Sequence, residues 1–202
     1  MTYVNLGRLM ATTRAEKVEE TRARLITAAR RAFATHGYAA ASMDDLTAEA
    51  GLTRGALYHN FGDKKGLLQA VIDQIDAEML ARMRAAGQGA SAWDAFVEEG
   101  VAYVEMALEP EIQRIMLLDG PSVLGDPSRW PNQTTCLRTT TQTIQTLIDD
   151  GVVKPVDAEA AARLVNGAAL NAALWIAAAD APATVLDKAV EAFRQMVSGL
   201  RT

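Results

Sequence analysis

The architecture of this chain follows largely from residues 42–64, which read SMDDLTAEAGLTRGALYHNFGDK. Ser42 is followed by acidic residues, as in a capping box, and this predicts a short helix that runs to about residue 50. Gly51 provides a tight connection, and Thr53 can cap a further short helix over residues 54–61. The segment therefore predicts a helix-turn-helix.

The second of these short helices has two different faces. At 100° per residue, Arg54, Gly55, Tyr58 and His59 share one face, while Leu57 anchors the opposite face to a core. A helix of this composition suits the major groove of DNA, because arginine pairs bidentately with guanine and glycine permits close approach of the backbone. A solvated surface helix is the alternative interpretation.

The flanking residues extend the prediction in both directions. Before the motif, apolar residues recur at helical spacing from residue 21 to Phe33, and Gly37 is a typical helix stop. After it, Lys64 and Lys65 fall in the first turn of another helix, where the helix dipole disfavours cations unless phosphates lie nearby. This misfit favours contact with DNA.

The run from Gly37 to Lys64 resembles the DNA-binding signature of the tetracycline-repressor (TetR/AcrR) family of transcriptional regulators, and the resemblance covers about residues 20–70. Small departures occur at Ala41, Thr47 and Asn60. The resemblance implies two groups of DNA contacts. Backbone contacts fall to Ser42, Tyr58, His59 and Lys64, and the residues closest to base edges are Thr53, Arg54 and Gly55.

Composition predicts an all-α fold, because 50% of residues are hydrophobic, aromatics are few and alanine is abundant. The net charge is −5, but residues 1–65 carry ten basic and seven acidic residues, whereas the remainder carries ten and eighteen. We expect a helix-turn-helix DNA-binding domain over residues 19–66 and a helical ligand-binding and dimerisation domain over residues 67–202.

Residues 1–18 lack an apolar period and are interpreted as an N-terminal extension that is flexible in isolation. Arg8, Arg14 and Lys17 leave two alternatives for this extension, a basic arm that touches DNA or a solvated tail.

Catalytic and metal sites are not expected. The histidines, His36 and His59, both lie in the basic head, and the single cysteine, Cys136, is far from them in sequence. No Ser-His-Asp, Cys-His or metal cluster can be assembled from local spacing. We therefore expect no enzyme, no catalytic residue, no metal and no cofactor.

A cytoplasmic protein without a membrane partner is expected, since Cys136 cannot form an internal disulfide and the N-terminus does not resemble a signal peptide. The most apolar window, residues 164–179, is interrupted by Asn166 and Asn171 and is too short for a bilayer. It is interpreted as a buried helix.

The body is predicted to be a helical bundle of about nine helices in total, counting the head. A helix begins near Ser91, another opens at Pro110, and breaks are expected at residues 119–121 and 125–127. Two final helices, residues 157–179 and 186–200, are predicted to pair with a second subunit in a four-helix bundle, as the resemblance also implies. Internal core is the alternative for their apolar stripes.

A pocket for a small, largely hydrophobic effector is expected among these helices. Aromatic, polarisable or isolated polar residues are nominated to line it, namely Phe96, Tyr103, Met106, Met116, Trp130, Asn171 and Trp175. Ordinary core packing is the alternative for these side chains, and Asn171 can instead bond across the dimer seam.

The sequence thus predicts a homodimeric repressor that binds a pseudo-palindromic operator in double-stranded DNA and is released by an effector. A DNA-binding dimer controlled by a protein partner, or by no ligand at all, is the alternative. An all-α enzyme is disfavoured because the body has no histidine and no glycine-rich phosphate loop appears.

Overall fold

The computed structural model describes the backbone of residues 3–202 and the side chains of residues 14–202, and its regular structure is helical throughout that range. The helices are α1 (Tyr3–Ala40), α2 (Met43–Glu49), α3 (Arg54–Phe61), α4 (Lys64–Ala86), α5 (Ala92–Glu105), α6 (Pro110–Ile112), α7 (Gly120–Leu124), α8 (Pro131–Asp149), α9 (Ala158–Ala178) and α10 (Pro182–Ser198). A π-helical segment, Gln113–Asp119, joins α6 to α7 without a break. The all-α prediction is confirmed.

The chain divides into two compact units, Met1–Val71 and Ile72–Thr202, which we call the head and the body. The division falls inside α4, slightly beyond the expected boundary at residues 66 and 67. Helix α4 is continuous from Lys64 to Ala86 and so contributes residues to both units.

Helix α1 begins much earlier than the sequence pattern predicted. Residues 3–18 of the expected flexible extension are helical, although Met1, Thr2 and the side chain of Arg8 lie outside the described residues. Residues 8–36 contain neither glycine nor proline, the two residues that most disfavour a helix. The helix can therefore extend toward the N-terminus beyond the residues that form an apolar face. Gly37 interrupts α1 near its end with a φ of 77°, as its sequence position predicted.

The core of the head is made by one or two large apolar residues from each helix. Phe33 of α1, Leu46 of α2, Leu57 of α3 and Leu68 of α4 are all buried. Since α2 and α3 are too short to be stable alone, burial of these side chains is what holds them in place.

In the body, α9 packs against α5, α8 and α10. Its buried face is mostly alanine, which lets neighbouring helices approach closely, and Ile176 and Phe193 fill the space between them. Glu98 of α5 accepts two hydrogen bonds from Arg194 of α10, at 2.7 and 2.8 Å. These hydrogen bonds lower the pKa of Glu98.

The predicted break at residues 119–121 is wrong. The π-helical segment passes directly into α7, which has Pro121 as its second residue. Gly120 permits a close contact, because a Cβ at this position would lie 2.7 Å from Cη2 of Trp130. The break predicted at residues 125–127 is present, with Gly125 at a φ of 87°.

Among the described helices, α9 is long and apolar enough to cross a membrane by length and composition. Its inner face is part of the helical bundle, and its outer face exposes Leu164 and Trp175. Core helices of bundles pass the same length and composition test.

Candidate functional site

Helix α3 presents the predicted contact face to solvent. The Thr53 hydroxyl accepts a hydrogen bond from the backbone N–H of Ala56 at 3.2 Å and so caps the helix. Leu57 is fully buried, whereas Tyr58 is 52% exposed. Thr53, Arg54, Gly55 and His59 are also exposed. The helical-face prediction is therefore confirmed, and its polar side is exposed to solvent.

Gly55 is not required by the protein's own packing. A Cβ at this position would meet only the Thr53 hydroxyl oxygen, at 3.7 Å. Glycine inside a helix costs about 0.5–1 kcal/mol relative to alanine. Close approach of another molecule to the helix backbone is a reason for tolerating that cost.

Arg54 is paired with Asp44, a contact that the sequence pattern did not reveal. Nε and Nη2 of Arg54 donate to the two carboxylate oxygens of Asp44. The hydrogen bonds and the charge of Asp44 raise the pKa of Arg54. Because the carboxylate takes one side of the guanidinium, both Nη1 donors and one Nη2 donor still point outward. Asp44 thus orients Arg54 and leaves its end available for bidentate pairing.

Two of the residues assigned to phosphate contacts, Ser42 and Lys64, lie at helix N-termini. The Ser42 oxygen caps α2 by accepting from the N–H groups of Asp44 and Asp45, at 3.2 and 3.4 Å, so its hydroxyl proton remains available to an external acceptor. Nζ of Lys64 lies 3.4 Å from the Ala39 carbonyl oxygen and 4.5 Å from the centroid of the Tyr38 ring.

Tyr38 was not among the predicted site residues. Burial, together with the charge of Asp63, raises the pKa of Tyr38. Its ring fixes the position of the Lys64 ammonium group by a cation–π contact. Tyr38 follows Gly37 in the run that resembles the family signature, and this position was the signal from which it could have been found.

Several basic residues of the head are used internally. Arg22 donates to the Asn60 carbonyl at 2.9 Å and lies over the Phe61 ring at 4.7 Å, and Arg24 donates to the Ala50 carbonyl. These contacts fasten α1 to α2 and α3. The number of basic residues in the head is therefore larger than the number of basic side chains that are free to contact a ligand.

A cavity of about 310 Å³ lies in the body and is open to solvent on one side, where lining residues such as Asp73 and Thr139 are exposed. Its apolar walls come from α4, α5, α9 and α10 and include Met79, Leu80, Met83, Phe96, Val165, Leu170 and Phe193. Its polar lining includes Asp73, Asp76, Glu99, Tyr103, Asn132, Gln133, Cys136, Thr140 and Asn166. Such a mixture of apolar walls and a few polar groups is typical of ligand sites.

The nominated pocket residues are only partly brought together. Phe96 and Tyr103 line the cavity. Met106, Met116 and Trp130 are buried elsewhere, and the Trp130 indole N–H donates to the Gly125 carbonyl at 3.2 Å. Asn171 and Trp175 are exposed on α9. These five residues do not line this cavity.

Other lining residues were missed. Asp76, Leu80 and Met83 recur at helical spacing on α4, and this mixed stripe was the available signal. Asn166 faces α8, where its carbonyl oxygen accepts from the Thr140 hydroxyl at 3.2 Å and its amide nitrogen lies 3.7 Å from the Cys136 sulfur.

Comparison with known proteins agrees with both units. Residues 25–71 match the family described as bacterial regulatory proteins, tetR family, and residues 93–200 match the tetracyclin repressor-like C-terminal domain. A solved TetR-family transcriptional regulator from Pectobacterium atrosepticum is 49% identical, with a TM-score of 0.84, over 93% of this chain and 97% of that one.

Curated relatives match over shorter stretches. The HTH-type transcriptional regulator TtgR of Pseudomonas putida is 45% identical over 30% of this chain and 29% of its own length. The HTH-type transcriptional regulator UidR of Escherichia coli is 30% identical over 63% of this chain and 62% of its own length. With both domain families matched in order, the chain belongs to the TetR family of transcriptional regulators.

Proposed function

We propose that the chain is a homodimeric repressor that binds a pseudo-palindromic DNA operator and releases it when a small effector enters the body cavity. The observation that carries the DNA-binding part is the exposed face of α3. There Arg54 is held with its end free, and Gly55 is bare although nothing in the chain requires a glycine.

In this mechanism α3 enters the major groove and the surrounding helices hold the backbone. Arg54 pairs with a guanine, while Gly55 allows the helix backbone to approach the base edges. Ser42, Tyr58, His59 and Lys64 contact phosphates, which set the register but carry no sequence information. Thr53 lies at the N-terminus of α3, where recognition helices meet base edges.

Apolar exposure on the last two helices supports dimerisation. Leu164 is 74% exposed and Trp175 is 51% exposed, both on α9, and Met196 on α10 is 47% exposed. Large apolar side chains at such exposure are typical of a surface that a partner covers. A second copy, packing its own α9 and α10 there, would bury them.

Helix α4 supports coupling between effector and DNA. Its first residue is Lys64, a proposed phosphate contact, and its later residues Asp73, Asp76 and Met83 line the cavity. A ligand that favours a different position of α4 changes DNA affinity, and by linkage DNA changes ligand affinity equally.

The test is selection of duplexes from a random library, followed by footprinting and sedimentation. We expect a two-fold symmetric site bound by a dimer, with half-site centres one helical turn apart or a multiple of it. A monomer that binds a half-site tightly would refute the dimeric mechanism. Specific DNA binding that no small molecule relieves would instead favour control by a protein partner.

A further inference from the structure

The cavity in the body is acidic on its polar side. Asp73 and Asp76 of α4 and Glu99 of α5 line it, and no lysine, arginine or histidine among the described residues does so. Asp73 accepts a hydrogen bond from the side-chain amide of Asn132 at 3.2 Å. No hydrogen bond or ion pair to Asp76 is made within the described part of the chain.

The electrostatics of neighbouring groups show the same negative field. Burial and then the charge of Asp73 raise the pKa of Asp76. The pKa values of Tyr103 and Cys136 are also raised, first by burial and further by the charge of Asp76. These shifts show that the surroundings of Asp76 oppose additional negative charge.

Tyr103 adds a further polar group to this lining. Its phenol ring is half-buried and lines the cavity. A phenol hydroxyl can both donate and accept a hydrogen bond, so a ligand with a polar group at this end of the cavity has a partner in Tyr103.

The remaining walls of the cavity fit an organic molecule and not a bare metal ion. Phe96 and Phe193 present aromatic rings to the cavity, and Met79, Leu80 and Met83 add aliphatic surface. Among residues 14–202, no group of three or more histidine, cysteine or acidic side chains is placed to hold a metal ion. Aromatic rings also attract organic cations through their negative faces.

We infer that the ligand of this cavity is an organic cation with an apolar body, such as a protonated alkylamine that carries an aromatic ring. Its ammonium group lies beside Asp76 and Glu99, and its apolar part packs against Phe96 and Phe193. The inference rests on the proposed function, in which this cavity is the effector site. It narrows the largely hydrophobic effector expected from sequence to a charged class.

Three probes of similar shape test the charge preference, namely phenylbutylamine, phenylbutanol and phenylbutyrate. Each is titrated calorimetrically into the full-length chain at neutral pH. We expect the amine to bind at least about tenfold more tightly than the alcohol, and the acid to bind most weakly, because like charges repel in a low-dielectric cavity. Equal affinities, preference for the acid or no binding of the amine would overturn the inference.

Variants test whether Asp76 is responsible for the preference for the amine. Asp76→Asn keeps the shape of the side chain and removes its charge, so the amine should lose most of its advantage while the alcohol binds as before. Glu105→Gln is the matched control, since Glu105 is an exposed carboxylate on α5 that does not line the cavity. Thermal melting shows whether each variant is folded. A full amine preference in folded Asp76→Asn would place the cation elsewhere and refute the assignment.

Binding of the selected operator is measured in parallel by fluorescence anisotropy, with and without the amine. Amine preference without any DNA binding would refute the proposed function and keep the ligand class. Intact DNA binding without amine preference would refute only the ligand class.

Discussion

Lys64→Ala should weaken binding to every DNA sequence and make that binding less sensitive to salt. Nζ of Lys64 is held near the first turn of α4 by the Ala39 carbonyl, 3.4 Å away, and by the Tyr38 ring. In the proposed complex this fixed ammonium group neutralises one phosphate in each head. The contact reads no base, so its loss should affect specific and random duplexes alike.

The magnitude follows from counterion release. Each neutralised phosphate contributes about 0.9 to the slope of log K against log salt, so losing one contact in each head of a dimer lowers the slope by about 1.8. Over a fourfold increase in salt, the ratio of wild-type to variant affinity should then fall by about tenfold.

Fluorescence anisotropy with a labelled random duplex at a series of KCl concentrations measures this slope without knowledge of the operator. Lys154→Ala is the matched control, because Lys154 is an exposed lysine of the body and its replacement removes the same charge. The cation–π contact with Tyr38 contributes about 0.5–1 kcal/mol at an exposed site, so melting curves must show that the head stays folded. An unchanged slope, or the same change in both variants, would refute the role of Lys64.

Three further changes test other parts of the structure. Arg54→Ala should cost about 1–3 kcal/mol on the operator, with base preference relaxed at one position; equal losses on operator and random DNA would make Arg54 a phosphate contact. Gly120→Ala should lower the free energy of unfolding in urea by about 1–3 kcal/mol through overpacking against Trp130, and Trp130→Leu should recover part of that loss if this contact is the cause. Leu164→Glu should convert the dimer to a monomer in sedimentation, and a persistent dimer would show that the exposed face of α9 is not the interface.

The helix-turn-helix was predictable because its signals are local. Ser42 and Thr53 bond to N–H groups two or three residues away, and the burial of Leu57 follows from its helical position. The ion pair between Arg54 and Asp44 was not predictable in this way. It joins residues on different helices and depends on the angle at which α2 meets α3.

The presence of a pocket in the body was predictable, but most of its lining residues were not. Phe96 and Tyr103 were nominated for their residue types. The same reasoning nominated Trp130, which does not line this cavity and whose indole N–H donates to a nearby carbonyl. Residue type does not say toward which neighbour a side chain points. Asp76 of α4 and Glu99 of α5 line the same cavity from different helices, and no local spacing encodes that arrangement.

The π-helical segment Gln113–Asp119 bears on how this chain tolerates changes in length. A π-helical turn accommodates one residue more than an α-helical turn, because each N–H bonds one residue further back. Deleting one residue from this segment restores α-helical bonding and leaves Gly120 and all later residues in phase. The same deletion within α5 or α9 would rotate the following residues by about 100° and turn a buried face toward solvent. Descendants and relatives of this chain should therefore gain or lose a single residue here more readily than in the neighbouring helices.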